Sequence, residues 1–118
     1  MAKVHRLLGD EEFTAVCARI DSGSASRADL KAATWHLLTL LAQKAPGASV
    51  EVRVPPFAVV QCIAGARHTR GTPPAVVETD AATWIALARG TLSWSDARSR
   101  VRASGERSDL SPHLPLTR

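Results

Sequence analysis

The stretch VEVRVPPFAVVQCI, residues 50–63, contains the change of pattern that decides the fold. In its first part, three valines alternate with a glutamate and an arginine, a period of two that predicts a strand with one face in water. The dipeptide Pro55-Pro56 then interrupts the pattern, because proline has no N–H to donate to a strand ladder. The run that follows, 57–63, is almost continuously apolar and rich in β-branched residues. We therefore expect a second strand that is buried on both faces.

Two helices are predicted before this stretch. Asp10 is placed to cap the first helix, and the next two residues are acidic, as the helix dipole favours. The apolar face of this helix is formed at helical spacing by Phe13, Val16, Cys17 and Ile20. Ser26 and Asp29 have the spacing of a capping box and begin the second helix. Its wide apolar stripe runs over 30–41 and must be covered by another element.

The residues after 63 alternate between strands and short helices. Residues 75–78 and 101–103 are predicted strands, and between them a helix is capped by Thr79 or Asp80 and ends at Gly90. Helices followed by strands, then short helices and a last strand, are typical of an α+β domain. We predict a mainly antiparallel sheet that is covered by helices on one face.

Length and composition favour one folded domain. The chain has 118 residues, of which 45% are hydrophobic and 22% are charged, close to the average of globular proteins. No apolar run approaches the roughly 18 residues that span a bilayer, and the N-terminus lacks the apolar stretch of a signal peptide. We therefore expect a cytoplasmic protein without stable membrane insertion.

The net charge of +4 permits an anionic partner without requiring one. The basic residues are scattered, and the chain contains no tyrosine. Proteins that bind nucleic acid concentrate basic residues on one surface and add exposed aromatic rings, so we do not expect a nucleic-acid partner. The sequence leaves the oligomeric state open.

No standard catalytic or cofactor motif is present. The four histidines do not pair at metal-ligand spacing, and the glycine-rich phosphate loops and the G-x-S-x-G nucleophile pattern are missing. We therefore expect no metal, no cofactor and no enzymatic activity. Cys17 and Cys62 lie in apolar contexts that favour buried free thiols, with a disulfide as the alternative.

One polar cluster has the chemistry of an anion site. It consists of Gln61, Arg67, His68, Thr69 and Arg70. Two guanidinium groups that flank an imidazole can bind a carboxylate or a phosphate through paired hydrogen bonds. The alternative is a solvated turn whose arginines pair with nearby carboxylates.

The three tryptophans also allow a structural and a ligand-binding interpretation, here for an apolar ligand. Trp35, Trp84 and Trp94 occupy helical positions that are typical of a core. A sheet backed by amphipathic helices can also enclose an apolar cavity, and each methylene of a lipid chain that enters it gains about 0.8 kcal/mol. An apolar cavity needs no motif, so the sequence pattern does not separate these alternatives.

From Ser49 to Leu116 the chain resembles bacterial, specifically actinobacterial, members of the sterol carrier protein 2 superfamily. The resemblance is carried by VEVRVPPFAVVQC from 50, RHTRGTPPAVVETD from 67, TWIALARGTLSW from 83 and VRASGERSDLSPHLPL from 101. It implies one α+β domain over 1–118, with helices over 1–48 and a five-stranded, mostly antiparallel sheet with short helices over 49–118. It also implies an apolar tunnel between the sheet and the helices.

The resemblance implies a small, non-catalytic protein that holds a fatty-acyl or sterol-like ligand in this tunnel. The residues expected to line it are Phe57, Val59, Trp84, Leu87 and Trp94. We expect Arg67, His68 and Arg70 to contact an anionic head group if the ligand has one, and Gln61 is a further expected ligand-binding residue. Two alternatives stay open: an accessory module that docks another polypeptide, and a small enzyme that acts on an acyl thioester through His68.

Overall fold

The computed structural model describes residues 7–65, 75–105 and 108–117. These residues form three α-helices, four β-strands and two short 3-10 turns. The helices are α1 (Asp10–Asp21), α2 (Arg27–Lys44) and α3 (Ala81–Arg89), and the strands are β1 (Val50–Val54), β2 (Ala58–Cys62), β3 (Ala75–Thr79) and β4 (Val101–Ser104). The 3-10 turns span Arg98–Arg100 and Ser111–His113. The α+β class is confirmed.

Short side-chain contacts explain where the helices begin. The capping box of α2 is confirmed, because the Asp29 N–H donates to the Ser26 hydroxyl at 3.0 Å and the Ser26 N–H donates to the Asp29 carboxylate at 3.1 Å. Asp80 caps α3 by accepting the Thr83 N–H at 3.0 Å. The first cap differs from the prediction: Gly9 is the N-cap of α1, and Asp10 is already its first helical residue.

The sheet is four-stranded and mixed, with the order β2-β1-β3-β4. β1 pairs with β2 and β3 pairs with β4 in antiparallel fashion, whereas β1 and β3 are parallel. The prediction of five strands is therefore not met in the described ranges, and the mainly antiparallel character holds for two of the three pairings. β2 follows β1 through a tight turn and occupies one edge of β1, so β3 joins the opposite edge, where its first residue Ala75 lies beside Val50 and the two strands run parallel.

The second strand was predicted to be buried on both faces, and this is wrong. β2 is an edge strand, in which Val59 is 50% exposed and Gln61 is also exposed. The helices cover only the face of the sheet on which Val52 and Cys62 lie. A continuous apolar run therefore does not reveal which of its residues the second layer covers.

The core lies between this sheet face and the helices. Its largest fully buried side chains are Trp84, Leu37, Leu38, Leu41, Ile85, Leu87, Leu110, Val50, Val52, Val54 and Val77. The Trp84 indole N–H donates to the Thr34 carbonyl oxygen at 3.3 Å and thereby links α3 to α2. Cys17 and Cys62 are buried free thiols, as predicted. Among the helices of the described ranges, none combines the length and hydropathy that a bilayer crossing requires.

Candidate ligand-binding site

The face of the sheet that points away from the helices carries polar and exposed side chains. Arg53 pairs in register with Val59 on one side and with Glu78 on the other, and Glu78 pairs with Arg102. Directly paired residues point to the same side of a sheet, so these four side chains form one row across it. We call this surface the open face.

A groove of about 510 Å³ lies at one end of the open face. We call it the sheet-end groove. Its residues come from α2, from three strands and from the turn between β1 and β2: they are Trp35, Glu51, Arg53, Pro55, Pro56, Phe57, Ala58, Val59 and Glu78. The volume falls in the range of about 300–1,000 Å³ that is typical of small-molecule sites.

The turn between β1 and β2 forms the apolar end of the groove. The Phe57 N–H donates to the Val54 carbonyl oxygen at 2.9 Å, which closes the turn around Pro55 and Pro56. The Arg27 guanidinium lies 5.0 Å from the centroid of the Phe57 ring, a cation–π geometry at the N-terminus of α2. The rings of the turn therefore lie between the open face and the beginning of α2.

Charged groups lie along the strand side of the groove. Arg53 donates through Nε to the Glu51 carboxylate two residues away on the same strand. Glu78 lies opposite Arg53 on the adjacent strand β3. This arrangement places one cation between two carboxylates, so the strand side has no net positive charge. The apolar turn and the Phe57 ring, with Arg27 beside it, form the side that suits an apolar ligand.

The thiol nearest to this region does not add a nucleophile. Cys62 is the last residue of β2 and lies on the helix-covered face with no exposed surface. Burial raises the pKa of the Cys62 thiol to about 11, so it is protonated at neutral pH. Within the described ranges, no group of three or more His, Cys, Asp or Glu residues could hold a metal ion.

The residues predicted to line a ligand site lie in several places. Phe57 and Val59 meet in the sheet-end groove. Leu87 and Trp94 meet in a different groove of about 330 Å³, which we call the α3-end groove. Trp84 lines neither groove and is fully buried in the core.

None of the predicted polar ligand contacts lines either groove in the described ranges. Gln61 is exposed on the open face, two residues along β2 from Val59, and is not part of the groove lining. Arg67, His68 and Arg70, with Thr69, lie outside the described residues.

The α3-end groove is bounded by the C-terminal segment. Leu114 and Pro115 line it opposite Leu87 and Trp94. The segment is attached to the fold by the Leu116 N–H, which donates to the Ala88 carbonyl oxygen at 2.7 Å, and by the Lys44 ammonium, which donates to the His113 carbonyl oxygen at 2.9 Å. These contacts fix one wall of the groove to α2 and α3.

Sequence reasoning did not identify several residues of the sheet-end groove. Trp35 was assigned to the apolar stripe of α2, and Pro55 and Pro56 were treated only as a break in the strand pattern. The signal that could have found them is the apolar turn itself, since a polar turn is the usual connection between two strands. Two prolines next to a phenylalanine leave apolar surface at a position that is normally solvated.

The comparison with protein families assigns the chain. Residues 26–116 match the model of the family described as the bacterial SCP ortholog, where SCP stands for sterol carrier protein. No curated protein gives a significant match to the chain. The matched region contains α2, α3, all four described strands and every residue of the sheet-end groove. Because the family model covers most of the sequence, the chain belongs to the bacterial sterol carrier protein family.

Proposed function

We propose that this protein is a non-catalytic carrier that binds an apolar small molecule, with a fatty-acyl chain or a sterol-like body, in the sheet-end groove. The single observation that carries the proposal is an apolar groove of ligand size in which Val59, half exposed on an edge strand, lies beside Phe57. Membership in a family of sterol carrier proteins supports the same ligand class.

The groove is a better candidate than the sheet–helix interior that the family resemblance implies. A side chain that lines a tunnel wide enough for a ligand keeps some accessible surface. Trp84, Leu37 and Leu41 lie in this interior with 0% exposure. A ligand there would have to displace packed side chains, whereas the sheet-end groove accepts one without repacking the core.

The binding energy would come from the apolar wall. Each methylene removed from water contributes about 0.8 kcal/mol, and micromolar affinity corresponds to about 8 kcal/mol, so roughly ten methylenes of a long chain must be buried against Phe57, Val59 and Trp35. The charged side of the groove would orient the polar end of the ligand. Arg67, His68 and Arg70 stay our proposed contacts for an anionic head group, because two guanidinium groups that flank an imidazole can bind a carboxylate or a phosphate.

The position of the bound ligand can be tested with brominated fatty acids, which quench a tryptophan at contact distance. We expect a brominated long-chain fatty acid to quench the delipidated protein at micromolar concentration, because Trp35 lines the groove. Trp35→Phe is expected to abolish most of this quenching. Trp94→Phe, the matched variant in the α3-end groove, is expected to leave it in place. The opposite pattern would move the site to the α3-end groove and overturn the assignment.

A second pair of variants tests affinity with a matched control. Val59→Lys places a charge in the groove, and Gln61→Lys places the same charge on the same face of the same strand outside it. We expect Val59→Lys to weaken the binding of a labelled fatty acid and a labelled sterol at least about tenfold, and Gln61→Lys to change it little. If the wild-type protein binds no member of a panel of fatty acids, acyl esters and sterols, the carrier function is wrong, and an interaction module becomes the better explanation.

A further inference from the structure

Helix α1 lies outside the region that matches the family and packs on α2. The matched region begins at residue 26, and α1 ends at Asp21. α1 fully buries only Val16 and Cys17, while Phe13 and Ile20 pack against the core with part of their surface exposed. Two exposed ion pairs support its position: Arg19 with Asp29 at 2.8 Å, and Asp21 with Arg89 at 2.9 Å. The attachment of α1 is therefore modest, and each polar contact at its N-terminal end matters.

At the N-terminal end of α1, the contact between α1 and α2 centres on His36 of α2. The Leu8 N–H donates to His36 Nδ1 at 2.8 Å, and the imidazole stacks on the Phe13 ring with 4.2 Å between the ring centroids. Nδ1 accepts a hydrogen bond only when the imidazole is neutral and carries its proton on Nε2. His36 is only 8% exposed, so a charged imidazole there would lack solvation.

Protonation reverses the chemistry of this contact. A proton on Nδ1 would face the Leu8 N–H, and two donors repel each other where a hydrogen bond existed before. Burial lowers the pKa of His36, and the nearby carboxylates of Asp10 and Glu12 on α1 oppose this effect. Residues 7–9, which pack against the ring through Leu8, are Leu-Leu-Gly and contribute no charge. The other described groups that support α1 do not titrate near neutral pH, since the pKa values of Asp21 and Asp29 are lowered from an already acidic range.

We propose that protonation of His36 releases α1, together with residues 7–9, from α2. The fold thus contains a proton-sensitive attachment between α1 and the region that the family model covers. Release opens the face of α2 that carries His36 and exposes the apolar side of α1.

The direction of the pH effect follows from the pKa change. In the detached state His36 is solvated and returns toward its ordinary pKa of about 6.5. The detached state then binds the proton more tightly than the docked state, so docking is strongest above pH 6.5 and weakens as the pH falls through the docked pKa. Between pH 6.5 and the lower docked pKa, the population of the detached state rises by up to about tenfold for each unit that the pH falls.

The two cysteines provide a reporter and its internal control. Cys17 is buried on α1 against the rest of the fold, and Cys62 is fully buried in the sheet. We expect the labelling rate of Cys17 by a dipyridyl disulfide, which reacts in mild acid, to rise as the pH is lowered from 7.5 to 5. The rate is divided by that of an unstructured peptide with the α1 sequence at each pH. Cys62 is expected to stay unlabelled, which separates the detachment of α1 from global unfolding.

The variant His36→Gln isolates the residue, because glutamine can accept the Leu8 N–H and does not titrate, while the three other histidines of the chain are kept. We expect its Cys17 labelling rate to be independent of pH. A flat wild-type profile, or a variant profile parallel to the wild type, would overturn the proposal. If the variant labels rapidly at every pH, amide exchange of Leu8 in the wild-type protein decides: its protection must fall with the titration of His36 followed by NMR, and protection that persists after protonation would overturn the proposal as well.

Discussion

Thr34 has a buried hydroxyl that the core does not satisfy. The residue has no exposed surface, and its Oγ1 has no hydrogen-bond partner among the described residues. It occupies an inward position of α2, one turn before Leu38 and next to Ala33, where the apolar stripe of the helix continues. Its backbone carbonyl accepts the Trp84 indole, but the hydroxyl remains a desolvated polar group, which costs about 1–3 kcal/mol.

We predict that Thr34→Val stabilises the protein by about 1 kcal/mol, because valine keeps the shape of threonine and removes the unpaired hydroxyl. The matched control is Thr79→Val. Thr79 is also buried, but its hydroxyl donates to the Arg100 carbonyl oxygen at 2.7 Å, so we expect a loss of about 1 kcal/mol. Urea denaturation with unchanged m-values measures both changes. A loss of stability in Thr34→Val would contradict this account of the hydroxyl.

Single-residue features were the most predictable from the sequence. The capping box of Ser26 and the end of α3 at Gly90, which has a φ of 81°, follow from rules that involve neighbours within four residues. The acidic residue nearest the start of α1 was assigned as its cap, but the helix begins one residue earlier with Gly9 as the cap. Boundaries move by a residue because several adjacent residues can fill the same role.

The junction between α2 and β1 is held by backbone hydrogen bonds against the residue that follows β2. The Ile63 N–H donates to the Ala45 carbonyl oxygen at 2.6 Å, and the Ser49 N–H donates to the Ile63 carbonyl oxygen at 3.0 Å. Gly47 lies against this backbone with a φ of 147°. A Cβ at Gly47 would overlap the carbonyl group of Ile63, so the close approach requires glycine.

We predict that Gly47→Ala destabilises the protein by more than about 2 kcal/mol, because strain at this φ adds to an overlap with backbone that has no room to move. Gly23→Ala is the control. Gly23 has a φ of 78°, and a Cβ there meets nothing within 4 Å, so only the conformational strain of about 1 kcal/mol is expected. Thermal or urea unfolding compares the two variants. Equal losses would show that the overlap is relieved by a small shift of the chain.

The strands show why elements were less predictable than caps. Residues 50–54 alternate in the sequence and are half buried as expected, since alternation reports directly on the two faces of a strand. In β2 the apolar run gave no such signal, and Val59 is exposed because no described helix reaches the second face. Burial of a uniformly apolar strand depends on the layer above it, which is information that the strand does not contain.

At the scale of the whole molecule, pairing partners and grooves depend on distant residues. The parallel pairing of β1 with β3 joins residues about 25 positions apart, and the pattern of either strand alone is also compatible with antiparallel pairing. The groove combines Trp35 with a turn that begins 20 residues later and with Glu78 of β3. The sequence predicts the apolar residues, but their separation into a packed core and an open groove is a matter of shape.

The burial and pairing of the elements predict that stability is unevenly distributed over the molecule. β1 is paired on both sides, and Val50, Val52 and Val54 have no exposed surface, so its amides should open only on global unfolding. α1 is attached by two buried side chains, two partly buried ones and exposed ion pairs. We expect its amides to exchange at least about 100-fold faster than those of β1 in hydrogen exchange at pH 7.5, a difference of about 2.7 kcal/mol in opening free energy. Equal protection in α1 and β1 would mean that α1 unfolds only with the whole domain, whereas faster exchange identifies α1 as a separately opening unit.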